Sequence, residues 1–225
     1  FQSAREGSLA LTRLVAKNEL VGFADLKMLL IGTVSPVSIH AKFPLKTLAD
    51  LKGKRLRSGS SMMGNVIEAM GGVPVLIGAP NSADALSKGV IDGALAEWNF
   101  VATFKTDEVT QHHLALPLGG TAIMVPMTKS RFESLPAAGR AALEKLGGEA
   151  FAERFSAVAD QSNDASLERV SKSGRNTVTR ADAATQAEFR KVLAPVTANW
   201  RKAKTRNDYV YRAAVAEIER IRAAK

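Results

Sequence analysis

Apolar positions recur along this chain with two periods. Leu9, Leu11, Leu14, Val15 and Val21 predict a helix ending near Gly22. Phe151, Phe155 and Val158 stand at i, i+4 and i+7 and predict a long amphipathic helix from about 149 to 172, ended by Gly174. Phe189, Val192, Leu193, Val196 and Trp200 predict another, bent or broken at Pro195, and Val210, Ala214, Ile218 and Ile221 give the last helix its apolar face. Short apolar runs at 26–31, 73–77 and 121–127 predict strands, the basic run 54–57 is strand-like, 34–41 and 112–118 read as extended, one more strand opens at Val90-Ile91, and 176–179 is β-prone. Between them a helix over 64–70 stops at Gly71-Gly72, and a second, capped by Asn81 or Ser82, ends at Gly89. Phe100 to Phe104 opens a further helix, and Ser134 is expected to cap one whose first turn holds Pro136.

Strand and helix alternate through the middle of the chain, which predicts an α/β fold with a parallel sheet. In open sheets of that kind ligands lie beyond the carboxyl ends of the strands. Arg57, the loop Gly78-Ala79-Pro80 and the segment 93–98 all fall at such ends. The Arg57 guanidinium stays charged and presents a planar fork that matches a carboxylate. Behind it, Ser60 to Met63 begin a helix whose free N–H groups also favour an anion. Ala79 shapes the pocket from its loop, Trp98 can wall it, and Glu97 and Asn99 can exchange hydrogen bonds with ligand hydroxyls. Two plainer readings stand beside these: Arg57 pairs with a structural acid, Asp92 or Glu97, and Trp98 is a core residue.

Composition narrows the classes. The 225 residues are 46% hydrophobic and 24% charged, enough for one or two compact domains with a sizeable core. No apolar run approaches the roughly 18 residues of a membrane span. Cysteine is absent, which removes disulfides and thiolate metal sites. Adjacent His112 and His113 point to opposite faces of a strand and His40 stands apart in sequence, so no metal site is expected. No nucleophile triad or phosphate-loop motif is present, and no cofactor is expected. Net charge is +9, and residues 167–225 hold 14 Lys/Arg against 6 Asp/Glu. The basic excess thus sits in the C-terminal helices, away from Arg57, and without a recognition motif it reads as a solvated face rather than a nucleic-acid surface.

Five stretches together carry a resemblance. They are Asp50-Leu-Lys-Gly-Lys-Arg-Leu-Arg57, Gly71-Gly72-Val-Pro74, Ala85-Leu-Ser-Lys-Gly-Val-Ile-Asp-Gly93, Met124-Val-Pro-Met-Thr-Lys129 through Phe132-Glu-Ser-Leu-Pro136, and Phe189-Arg-Lys-Val-Leu-Ala-Pro-Val196 with Trp200. In this order they resemble the solute-binding proteins of tripartite ATP-independent periplasmic (TRAP) transporters, the DctP-like family. The resemblance implies a two-lobed periplasmic binding-protein fold, type II-like, with a long connecting helix and a hinge near 119–124. It places the family's carboxylate-binding arginine on Arg57. It implies a periplasmic, monomeric receptor without catalytic activity, which captures a small organic acid and delivers it to inner-membrane permease subunits. It further implies that part of the first lobe and a signal peptide precede Phe1. The expected division is 1–42 for the remainder of lobe I, 43–118 for lobe II, 119–173 for a strand and long helix crossing back, and 174–225 packing on lobe II and the hinge. The chain departs from many relatives after Asp92-Gly93, where it reads Ala-Leu-Ala-Glu-Trp98 and resembles a tryptophan-bearing subgroup. Two rival readings are a ligand-sensing effector domain of a regulator and an enzyme of small acids.

Overall fold

The computed structural model describes residues 1–224. In chain order it begins with α1 (Ala4–Ala16), β1 (Leu26–Thr33), β2 (Ser38–Ala41), β3 (Arg55–Ser58), α2 (Ser61–Ala69), β4 (Val73–Leu76) and α3 (Ser82–Ser87). It continues through β5 (Gly93–Ala96), α4 (Trp98–Thr103), β6 (His112–Ala115), β7 (Ala122–Thr128), α5 (Lys129–Glu133) and α6 (Ala137–Leu146). It closes with α7 (Glu149–Ser171), β8 (Thr177–Arg180), α8 (Ala183–Ala203) and α9 (Thr205–Ala223). Two compact units share these elements. One takes residues 1–36, 119–161 and the chain from Lys204 on; the other takes 37–118 and 162–203.

The first unit is built on an antiparallel pair, β1 with β7, running from Leu26 opposite Thr128 to Thr33 opposite Ala122. Helix α1 lies on β1 at close range: a Cβ at Gly7 would stand 2.2 Å from the Thr33 hydroxyl oxygen, so only glycine permits the approach. Leu9, Ala10, Leu30, Ala152 and Ile221 form the core. The start of α1 is capped twice. Ser3 Oγ accepts from the Glu6 N–H, and the Asp160 carboxylate accepts from Ala4 N–H at 2.7 Å and Arg5 N–H at 3.1 Å.

The second unit holds a six-stranded sheet in the order β4-β3-β5-β2-β6-β8. It is mixed, not wholly parallel. β3 runs parallel to both β4 and β5, and β6 parallel to β8, while β2 is antiparallel to β5 and β6. Leu51, Leu56, Ile67, Leu95, Leu114 and Phe189 are among the residues that close its main core.

Several expectations shift in register. The strand expected to open at Val90-Ile91 begins at Gly93, because Ile91 packs with Ala85 and Leu86 at the end of α3. Ser134 ends α5 rather than capping the next helix: its hydroxyl donates to the Arg131 carbonyl at 2.8 Å, and Pro136 takes the N-cap. Helix α1 ends at Ala16, well before Gly22, and Asn18 just beyond takes a positive φ of 54°. Helix α8 runs through Pro195 without a break. The unit boundaries also differ from the expected division. β2 belongs with the large sheet, because both its edges pair there, and α9 belongs to the first unit, where it packs on α1.

Candidate functional site

Strands β4, β3 and β5 are parallel neighbours, so their carboxyl ends lie along one edge of the sheet. Arg57 is the third residue of β3, and its guanidinium reaches across that edge. Nε donates to the Ile77 carbonyl beyond β4 at 3.1 Å, and Nη1 points to the Leu95 carbonyl of β5 at 3.4 Å. The Phe100 ring covers one face of the guanidinium, with the carbon at 4.7 Å from the centroid. Gly59 leaves room on another side, where a Cβ would come within 3.1 Å of Nη2. Arg57 is 8% exposed, and burial pushes its pKa down against the opposing pull of Glu97.

Arg57 is not neutralised by Asp92. Arg55, two residues earlier, takes that carboxylate with two side-chain bonds, Nε–Oδ2 at 3.1 Å and Nη2–Oδ1 at 2.7 Å, and adds its own backbone N–H at 2.9 Å. Among the described residues Arg57 forms no ion pair with any acid; Glu97 acts on it only through its field. Glu97 caps the start of α4 by position without a side-chain capping bond, and burial raises its pKa. The surroundings thus hold one buried cation and one carboxyl that is easier to protonate than an exposed one.

The other expected residues fall around this centre unevenly. Ser60 is exposed and caps α2, but its Oγ accepts from the Met63 N–H at 3.2 Å, so that donor is not free as expected. Ala79 is half-buried and opens the short turn after Ile77, whose carbonyl holds Arg57. Asn99 is half-buried on α4, with Oδ1 accepting from the Thr103 hydroxyl at 3.4 Å. Trp98 is 2% exposed and sits in the core with Val101 and Val170; its backbone N–H donates to Asn163 Oδ1 at 2.9 Å. Its indole is therefore enclosed rather than displayed.

A feature not expected from the sequence lies beside Trp98. His40 on β2 and His113 on β6 are register partners, and their Nδ1 atoms stand 2.9 Å apart with both side chains buried. Burial lowers both pKa values, that of His40 to about 3. His40 is thus not isolated. The available signal was its place in the extended piece 34–41, but the partner's identity needed a strand pairing that joins residues 73 apart. Among the described residues no group of three or more His, Cys, Asp or Glu is placed to hold a metal ion. No helix among them is long and apolar enough to cross a membrane.

Comparison with known proteins fits this geometry. Residues 12–203 match the model of the family described as bacterial extracellular solute-binding protein, family 7. A solved TRAP solute binding protein of an unidentified marine-metagenome microbe, described as specific for aromatic acid ligands and in complex with metahydroxyphenylacetate, is 26% identical; the match covers 98% of this chain and 72% of that one, with a TM-score of 0.91. Another from Rhodoferax ferrireducens T118, in complex with copurified benzoate, is 25% identical over 100% of this chain and 73% of its own, with a TM-score of 0.94. The C4-dicarboxylate-binding periplasmic protein DctP of Rhodobacter capsulatus is 28% identical over 70% of this chain and 47% of its own length, so this chain spans about half of that relative. The fold is that of two-lobed periplasmic binding proteins, and the chain belongs to family 7 of the bacterial extracellular solute-binding proteins.

Proposed function

We propose that this chain is the receptor of a TRAP-type transporter, a monomer of the periplasm that captures a small carboxylate and hands it, unaltered, to membrane permease subunits. The observation that carries the reading is Arg57: a buried guanidinium at the carboxyl ends of parallel strands, fixed by two carbonyls and left without a carboxylate among the described residues. A buried charge of that kind costs several kcal/mol unless a counter-ion arrives. A ligand carboxylate supplies it. Family membership weighs for the receptor over a regulator's effector domain, and the absence of a nucleophile constellation weighs against an enzyme.

The site's chemistry favours a monocarboxylate with an apolar or aromatic body. Phe100 offers ring area against the guanidinium, and Glu97 can meet a ligand hydroxyl. A second carboxylate would need a second cation. Arg55 is engaged with Asp92, and Lys54 lies over the Phe43 ring, 4.8 Å from its centroid. Two relatives that hold aromatic acids support this preference over the C4-dicarboxylates named for the third. Calorimetry with benzoate and a four-carbon diacid tests it: benzoate should bind more tightly, and Arg57→Lys, which keeps charge but loses the fork, should weaken it by roughly 1–3 kcal/mol. Tighter binding of the diacid refutes the one-cation site, and unchanged affinity in the Lys variant removes Arg57 from it.

A further inference from the structure

The buried histidines have no part in the binding chemistry above, yet they stand directly behind it. The Ala96 carbonyl ends β5 and can only accept a hydrogen bond, so His40 Nε2, 3.1 Å away, must carry a proton. A neutral His40 then has a lone pair on Nδ1. The 2.9 Å contact between the two Nδ1 atoms needs one proton between them, and it must come from His113. That leaves His113 Nε2 as an acceptor, 2.9 Å from the Asn176 side-chain amide. The structure sets Asn176 Oδ1 toward the ring and its NH2 toward Ser173 Oγ, but the two ends of an amide have the same shape, so the proton count turns it: NH2 to the ring and oxygen to the Ser173 hydroxyl, whose proton swings over from the Val170 carbonyl at 2.8 Å while that carbonyl keeps the Ser173 N–H at 3.2 Å. A third proton, which would charge the pair, is opposed by burial of both rings and by neighbouring His112. Three groups favour it: the Asn176 oxygen, which the turned amide takes away from His113, the Ala96 carbonyl, which the neutral His40 already meets with Nε2–H, and the Asp107 carboxylate, which is held by Arg169 at 2.8 Å.

The pair touches the site through Trp98 and Ala96. The His40 ring meets the indole edge to face, with centroids 4.7 Å apart and planes at 87°, and His113 lies at 5.4 Å from the indole. Glu97 therefore sits between two fixed backbone groups: the Ala96 carbonyl tied to His40 and the Trp98 N–H tied to Asn163. Phe100, which faces Arg57, follows two residues later on the same helix. Two apolar side chains would fill the space of the histidines at lower desolvation cost, but they would supply no donor to the Ala96 carbonyl.

We propose that His40 and His113 are positioning residues: a neutral imidazole pair, joined by one proton, that holds Ala96 and Trp98 and so sets where Glu97 and Phe100 stand relative to Arg57. The proposal rests on the carboxylate site above for its functional meaning. Nitrogen-15 NMR of the histidines in the full chain tests the pair without any ligand. His40 should show the Nε2–H tautomer and His113 the Nδ1–H tautomer, unchanged from about pH 8 to about pH 6, across which an exposed imidazole titrates. Two Nε2–H tautomers, or titration near 6.5, overturn it. The consequence for the site is read in a Trp200→Phe background, where emission reports Trp98. His40→Leu should shift that emission and weaken benzoate about tenfold in protein that remains folded by circular dichroism. His40→Gln, which keeps an N–H for Ala96, should restore most of both. A lower melting temperature with unchanged emission and benzoate affinity marks a merely structural role and overturns the proposal. If the Leu variant does not fold, the Gln variant and the tautomers decide. If the parent chain itself fails to bind benzoate, the aromatic-acid reading falls, while tautomers and Trp98 emission still decide the positioning.

Discussion

The two units treat buried charge differently. In the first, the buried carboxylates are neutralised by the protein itself. Glu6 is held by Arg222 at 2.9 Å, and Glu217 is held by Arg220 at 2.6 Å, by Lys17 and, more distantly, by Arg13 at 3.9 Å. In the second, Asp107 has Arg169, but among the described residues buried Arg57 has carbonyl oxygens and an aromatic face in place of an acid. Acids that are fully answered fasten α9 to α1, whereas Arg57 has no such answer among the described residues. On the function proposed above, the contrast is between charges kept for stability and one kept for a ligand.

Four experiments would break or sharpen it. The largest effect is expected from Arg57→Met. Benzoate affinity should fall by about 3 kcal/mol or more, while stability holds or rises, because an uncompensated buried charge is removed. A variant that unfolds instead would show that Arg57 is a structural ion after all. The second effect comes from acid. His40 is held neutral well below the ~6.5 of an exposed imidazole, so the unfolded chain takes up protons first as pH falls. Stability should drop by about 2 kcal/mol between about pH 6.5 and about pH 4.5 from this group alone, and His40→Gln should show a shallower fall in chemical denaturation. Third, Glu217→Gln should lower stability by about 1–2 kcal/mol, because it leaves three cations short of their acid, and should leave benzoate affinity unchanged. Equal losses of affinity from Glu217→Gln and Arg57→Met would erase the distinction. The smallest is Gly59→Ala. Its new Cβ presses on the Arg57 guanidinium, and affinity should weaken by about 1 kcal/mol or less with little change in melting temperature.

What the sequence made legible was local. The helix over 149–172 is announced by Phe151, Phe155 and Val158, and it forms as α7 with Phe151 and Phe155 packed on the first unit's core, while Val158, the third position of the stripe, stays exposed. Arg57 at a strand end follows from a basic, strand-like run that gives way to Ser-Gly-Ser-Ser, a turn and then a helix. What was hidden depends on which strands meet. Asp92 can serve Arg55 or Arg57 by sequence alone; β3 and β5 pair with Leu56 opposite Gly93, which brings Asp92 beside Arg55. The partnership of His40 with His113 needed β2 to insert antiparallel between β5 and β6, against the parallel pattern that the βα alternation suggests. Trp98 read as wall or core with equal right. Only the histidines that enclose it show which side of α4 it takes.

The outer edge of the large sheet has a consequence for how this protein behaves when crowded with copies of itself. Among the described residues β4 has a neighbour on one side only, β3. The N–H groups of Val73 and Ile77 are bonded to that neighbour, so Pro74 and Leu76 direct their backbone outward. Pro74 has no N–H to give. A strand from another molecule seeking to extend the sheet would find one donor where a regular ladder offers two, beside an exposed Leu76 side chain that would otherwise invite it. The ring at position 74 thus acts as a stopper on cross-chain assembly, set on the strand that leads into the Ile77 carbonyl that holds Arg57.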